Sequence, residues 1–143
     1  MLKPGDQAPE IPGLARLRGK RVVLYFYPKA DTPGCTLESC EFRDHAREFE
    51  NKGAVVVGIS PDKPAAQEKF KTKYNLPFVL LSDDEKAAAQ AFGVWKEKTM
   101  YGKKVMGIER STFVIGPDGV IAQVFLKVKP GEHDALVLGA LSA

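Results

Sequence analysis

Residues 21–40 read RVVLYFYPKADTPGCTLESC. Arg21 to Tyr27 is a near-continuous apolar and aromatic run between Gly19 and Pro28, the pattern of a strand buried on both faces. Prolines and a glycine then punctuate a short loop, Pro28 to Gly34. A helical pattern follows from Thr36 to Glu50. This strand–loop–helix unit contains both cysteines of the chain, Cys35 and Cys40.

The same alternation continues outward. Ala54 to Ile59 and Phe78 to Leu81 read as two further strands. Pro64 to Tyr74 and Asp84 to Phe92 read as helices, the first opened by Pro64 and the second capped by Ser82 or Asp83. Lys96 to Glu109 reads as a polar, glycine-marked loop. Ser111 to Ile115 and Val120 to Phe125 flank Gly116-Pro117-Asp118-Gly119 and read as a hairpin. Glu132 to Leu141 reads as a last helix. Strands alternating with helices imply parallel crossovers, and the hairpin adds an antiparallel edge. The expected fold class is α/β, a three-layer sandwich around a mixed central sheet. A length of 143 residues suits a single domain spanning 1–143.

Several function classes are disfavoured by composition. The net charge of +3 is too small to mark a nucleic-acid surface. No apolar stretch is long enough for a bilayer, and MLKPGDQAPE has no signal-type h-region, so a cytoplasmic protein is expected. Two cysteines are too few for a disulfide scaffold or a four-thiolate metal centre, and the two histidines do not complete a finger spacing. Neither G-x-G-x-x-G after the first strand nor a P-loop is present.

Cys35 stands where a parallel sheet collects its chemistry, beyond the carboxyl end of a strand and at the start of a helix. Early helical N–H groups lack intrahelical partners and stabilise negative charge on sulfur. Thr32 can cap that helix or hydrogen-bond to the thiolate or its substrate, while Pro28 and Pro33 stiffen the loop. Cys35, Ser39, Phe42, Ala46 and Phe49 form one helical stripe whose later members are apolar, so Cys35 faces the core side.

Cys40 lies five residues further on. In a regular helix that is a rotation of about 140° and a rise of about 7.5 Å, which puts the two Cα atoms roughly 9 Å apart. A disulfide needs them within about 7 Å. The pair can therefore bond only if the first turns unwind. That disfavours simple disulfide exchange and suits peroxide chemistry, in which a sulfenic acid forms first and a second thiol then condenses with it. Breaking the O–O bond needs a nearby cation, and Arg110 is the candidate. Arg43 and Arg47 rank lower because Glu38, Glu41, Asp44 and Glu48 can pair with them. The alternatives are a protein disulfide reductase and a redox-responsive binding protein using the same cysteines.

These residues resemble the peroxiredoxins, and most of all the bacterioferritin comigratory protein, or PrxQ, group. The resemblance is carried by YFYPKADTPGCTLESC (25–40) with EFRD after it, VGISP (57–61), FGVWKEKTMYGKKVM (92–106), GIERSTF (107–113) and the N-terminal GDQAPE. It implies a thioredoxin-like fold with an N-terminal extension. It implies a thiol peroxidase for hydrogen peroxide and organic hydroperoxides, with Cys35 as peroxidatic cysteine and Cys40 as resolving cysteine in an intramolecular disulfide. Thr32 and Arg110 match the catalytic threonine and arginine, and Pro28 the proline that shapes the pocket, with Gly34 beside the nucleophile. The resemblance further implies regeneration by thioredoxin or a similar dithiol protein, a monomer, and no metal, haem, flavin or nicotinamide.

Overall fold

The computed structural model describes residues 2–141 except 12, 15, 16, 18, 128, 130, 132–136 and 140. Its elements are β1 (Arg21–Phe26), α1 (Pro33–Asp44), α2 (Ala46–Asn51), β2 (Ala54–Ser60), α3 (Pro64–Tyr74), β3 (Val79–Ser82), α4 (Ala87–Ala91), β4 (Trp95–Met100), β5 (Lys103–Ile108), β6 (Ser111–Ile115) and β7 (Ile121–Phe125). The main sheet has the order β3-β2-β1-β6-β7. β1, β2 and β3 run parallel, while β6 and β7 are antiparallel to their neighbours. This is the mixed sheet of a thioredoxin-like sandwich.

β1 is central, and its alternation sorts the core into two layers. Val22, Leu24 and Phe26 point to one side, where they meet Phe113, Phe92 and the α4 residues Ala88 and Ala89. Val23, Tyr25 and Tyr27 point to the other, where they meet Cys35 and Phe42 of α1, Phe49 of α2 and Phe70 of α3. A strand covered on both faces needs the unbroken apolar run that the sequence shows. The N-terminal segment lies along the hairpin: Ile121 N–H donates to Asp6 O at 2.8 Å and Ala8 N–H to Gly119 O at 2.9 Å.

Three expectations are corrected. Lys96 to Glu109 is mostly a hairpin, β4 paired with β5. Its turn places Tyr101 at φ 53° and Gly102 at φ 75°, the paired left-handed residues of a type I′ connection. The expected helix Thr36–Glu50 starts at Pro33 and is broken at His45, where φ is −109° and ψ is 14°. The His45 ring competes locally, since both its Nδ1 and its backbone N–H lie at the Glu41 carbonyl, at 3.0 and 3.2 Å. The expected helix Asp84–Phe92 is confined to α4, although Asp83 does cap it: its carboxylate accepts the N–H groups of Ala88 and Ala89 at 3.0 and 2.9 Å. The expected last helix, Glu132–Leu141, falls mostly outside the described residues.

Candidate active site

The carboxyl end of β1 leads through Pro28 into the loop before α1. Pro33 opens the helix, where its missing N–H has no consequence. Thr32 is the N-cap residue with an extended backbone, and its carbonyl accepts the first intrahelical bond, from Thr36 N–H at 2.8 Å. Its side chain does not cap. The hydroxyl donates instead to Lys29 O at 2.7 Å, which turns the oxygen lone pairs away from that carbonyl. The Gly34 and Cys35 N–H groups precede the first helical bond and belong to the orphan donors of the helix start.

One side of α1 is buried at Cys35, Glu38, Ser39 and Phe42, the i, i+3, i+4, i+7 stripe of an amphipathic helix. On the opposite side Leu37 is exposed. Both cysteines are free thiols, Cys35 buried and Cys40 half-buried.

Arg110 leaves the end of the β4–β5 hairpin and reaches α1. Its Nη2 lies 3.3 Å from Cys35 Sγ, and its Nη1 donates to Glu38 Oε1 at 2.9 Å. Burial opposes the charge on Arg110, but Glu38 and Cys35 outweigh it and hold the guanidinium above its ordinary value. One planar fork thus addresses the sulfur and a buried carboxylate through separate nitrogens. Glu38 thus pairs with Arg110. Of the carboxylates the sequence offered to Arg43, Asp44 takes it, and Arg43 also donates to the Tyr74 carbonyl. Lys98 on β4 adds a second cation within electrostatic reach of Cys35. Burial and repulsion from Arg110 lower its pKa, and its ammonium donates to the Ile108 carbonyl.

Beneath the helix, Tyr25 is fully buried, with its ring 4.8 Å from that of Phe42. Its hydroxyl shares a 2.8 Å hydrogen bond with Ser39 Oγ. Burial, then Tyr27, pushes the Tyr25 hydroxyl far above its ordinary value, so it remains a neutral hydrogen-bonding group. Gly58 on the adjacent strand makes the room: a Cβ there would sit 2.8 Å from the Tyr25 hydroxyl. A cavity of about 310 Å³ among the described residues lies elsewhere, lined by Ile11, Leu14, Val22 and Ile115 at the opposite end of β1. The thiol and its cation, rather than this cavity, locate the site.

Of the sequence candidates, the fold gathers Thr32, Gly34, Cys35 and Arg110 around the helix start, with Pro28 at the head of the loop. Cys40 is on the same helix, with no disulfide to Cys35. Glu38 was not anticipated. Its signal is its place three residues after Cys35, hence on the same helical side.

Residues 3–124 match the AhpC/TSA family. Over 128 residues the chain is 52% identical to peroxiredoxin Bcp of Bacillus subtilis, covering 90% of this chain and 82% of the relative. The chain belongs to the peroxiredoxins, in their PrxQ/Bcp group. Among solved structures it is similar to the bacterioferritin comigratory protein of Xanthomonas campestris, a protein described for its alkyl peroxide reduction activity. That match has 44% identity and a TM-score of 0.86, covering 90% of this chain and 82% of the other. It is also similar to the peroxidoxin BcpB of Mycobacterium tuberculosis, at 37% identity and TM-score 0.86, covering 99% and 97%. The peroxiredoxin is accordingly a thiol peroxidase of the α/β, thioredoxin-like class, and its chemistry joins a peroxide substrate to a thiol redox partner.

Proposed function

We propose that Cys35 is the peroxidatic cysteine, that Cys40 resolves it, and that Thr32 and Arg110 complete the reacting group. The single observation that carries this reading is the Arg110 guanidinium 3.3 Å from the Cys35 sulfur while anchored to buried Glu38. The Cys35 thiolate attacks the distal oxygen of hydrogen peroxide or an organic hydroperoxide. The S–O bond forms as the O–O bond breaks, and the departing oxygen leaves as water or an alcohol after gaining a proton. Arg110 stabilises the negative charge on sulfur before attack and on the departing oxygen during it. Thr32 Oγ1, whose own hydrogen is donated to the Lys29 carbonyl, accepts a hydrogen bond from the peroxide O–H and orients it. The Cys35 N–H donates to the peroxide, and Pro28 and Gly34 shape the approach.

The resulting Cys35 sulfenic acid condenses with the Cys40 thiol, forming a disulfide and releasing water. Helical spacing forbids that bond until the first turns of α1 unwind. Thioredoxin or a similar dithiol protein then restores both thiols. Both cysteines belong to one chain, which supports a monomeric single-domain enzyme. Its need for thiol reduction supports a reducing compartment such as the cytoplasm.

The test is rapid mixing of the reduced protein with hydrogen peroxide, followed by Trp95 fluorescence and by quenching for intact mass. The expected product is one Cys35–Cys40 disulfide per chain, formed with fast loss of both thiols. Oxidation at the rate of an ordinary thiol would defeat the reading. Cys40→Ser is expected to complete one turnover, accumulate sulfenic acid and fail to recycle through a disulfide.

A further inference from the structure

The two ends of α1 are fastened to one residue of α3. Upstream, Asp31 is the last loop residue before Thr32, and its φ of 60° is left-handed. That is an uncommon state for a side chain other than glycine, and it persists where surrounding bonds over-determine it. Here they do: Asp31 Oδ1 accepts from the Tyr74 hydroxyl at 2.7 Å, and Oδ2 accepts from Lys73 Nζ at 2.9 Å. Downstream, Arg43 Nη1 donates to the Tyr74 carbonyl at 2.8 Å. Asn75, at φ 51°, ends α3, so that carbonyl is one of the helix-end acceptors with no donor in its own helix. The Tyr74 ring packs edge-on to Phe70, with centroids 5.4 Å apart, which seats it against the core.

Between the two anchors lie Thr32, Cys35, Glu38 and Cys40. We propose that Tyr74 is a positioning residue that clasps both ends of segment 32–42 and sets how readily the first turns of α1 unwind once Cys35 is oxidised. This rests on the reading of Cys40 as the resolving cysteine. With the clasp closed, the loop and helix hold Thr32 and Cys35 in the geometry that meets peroxide. Opening it releases Asp31 from its left-handed backbone and lets the N-terminal turn move toward Cys40, while Arg43 keeps the far end in place.

The clasp then decides a competition. The Cys35 sulfenic acid either condenses with Cys40, releasing water, or takes a second oxygen from another peroxide to give a sulfinic acid and water or alcohol. A tighter clasp lengthens the life of the sulfenic acid and favours the second outcome.

Tyr74→Phe removes the bond to Asp31 but keeps the ring and the carbonyl that Arg43 uses. Asp31→Asn tolerates the left-handed backbone and keeps an acceptor for Tyr74, but gives up the charge facing Lys73. After one equivalent of hydrogen peroxide, disulfide formation is followed by quenching and mass. In parallel, the peroxide concentration that converts half of Cys35 to sulfinic acid is titrated. Disulfide formation should be about fivefold faster in Tyr74→Phe, the weight of roughly one net hydrogen bond. The half-sulfinic concentration should rise in the same ratio, with a smaller change of the same sign in Asp31→Asn.

A merely structural Tyr74 would lower the melting temperature and leave that ratio unmoved, which overturns the clasp. If Tyr74→Phe does not fold, Asp31→Asn decides alone by the same ratio. A disulfide that forms in the unaltered chain, at a rate neither variant changes, overturns the clasp and leaves the Cys40 reading intact. Failure of the unaltered chain to form any disulfide removes the Cys40 reading and the clasp's role with it.

Discussion

Glu38–Arg110–Cys35 and Asp31–Tyr74–Arg43 both fasten α1, and they do so in opposite ways. The first is buried: the Glu38 side chain is 0% exposed and that of Arg110 16%. The second is part-buried where Arg43 meets the Tyr74 carbonyl but lies at the surface on its Asp31 side, where the Lys73 and Asp31 side chains are 53% and 43% exposed. A buried charge that loses its partner cannot be rescued by solvent, so the inner set holds position and field together. An exposed bond exchanges readily for water, so the outer set can be opened without wrecking the fold. A helix proposed to be rigid for peroxide attack and unwound for disulfide formation needs both kinds of attachment.

The largest test of the inner set is Cys35→Ser. A hydroxyl at this position is no nucleophile toward peroxide, so rapid consumption should vanish while the fold is retained. Arg110→Ala comes next. Loss of a preorganised donor aimed at developing charge slows such steps by about a hundredfold, and peroxide attack measured by rapid mixing should fall on that scale. Arg110→Lys should recover only part, because one ammonium does not reproduce the two-pronged contact with Glu38 and Cys35. An unchanged attack rate in Arg110→Ala would remove Arg110 from the reaction.

Glu38→Gln sharpens the contrast between redox states. Removing one partner of a buried ion pair destabilises by about 3 kcal/mol. That loss should appear in urea unfolding of the reduced protein. In the disulfide form, where the first turns of α1 are proposed to be unwound and the pair already separated, the substitution should matter much less. Equal destabilisation of both forms would mean that the pair survives oxidation.

The legible parts of the sequence were those where one physical demand dominates. An apolar run between Gly19 and Pro28 has few options besides a buried strand, and the stripe Cys35, Ser39, Phe42, Ala46 and Phe49 placed Cys35 on the inner side of its helix, although only its first three members share that helix and Ala46 is half-buried. The β4–β5 hairpin was missed because it is set apart from the main sheet and carries lysines where a core strand would carry valines. Its usable signal was Tyr101-Gly102, a weaker form of the Asn-Gly turn. The break at His45 has no glycine or proline to announce it. Thr32 kept its N-cap position, but its hydroxyl donates to the Lys29 carbonyl rather than capping the helix, a choice fixed by loop geometry. Glu38 was weighed only against the arginines of its own helix, and its partner Arg110, 72 residues away, was not considered for it.

Asp31 gives the smallest effect and the cleanest sign. The bonds from Lys73 and then Tyr74 hold its carboxyl below the ordinary value of 3.8. In the unfolded chain the same group takes up a proton at higher pH. The folded state therefore gains from these bonds fully above the unfolded value, and loses that gain as pH falls through the lowered folded value. Because the group is open to solvent, the contribution is slight and screened by salt. Thermal unfolding of the reduced protein from pH 6 down toward pH 3 should show the unaltered chain losing slightly more stability than Asp31→Asn, with the difference shrinking at high ionic strength. Parallel curves for the two proteins would mean that the outer bonds are too weak in solution to hold the left-handed turn, and that the inner ion pair alone keeps the start of α1 in place.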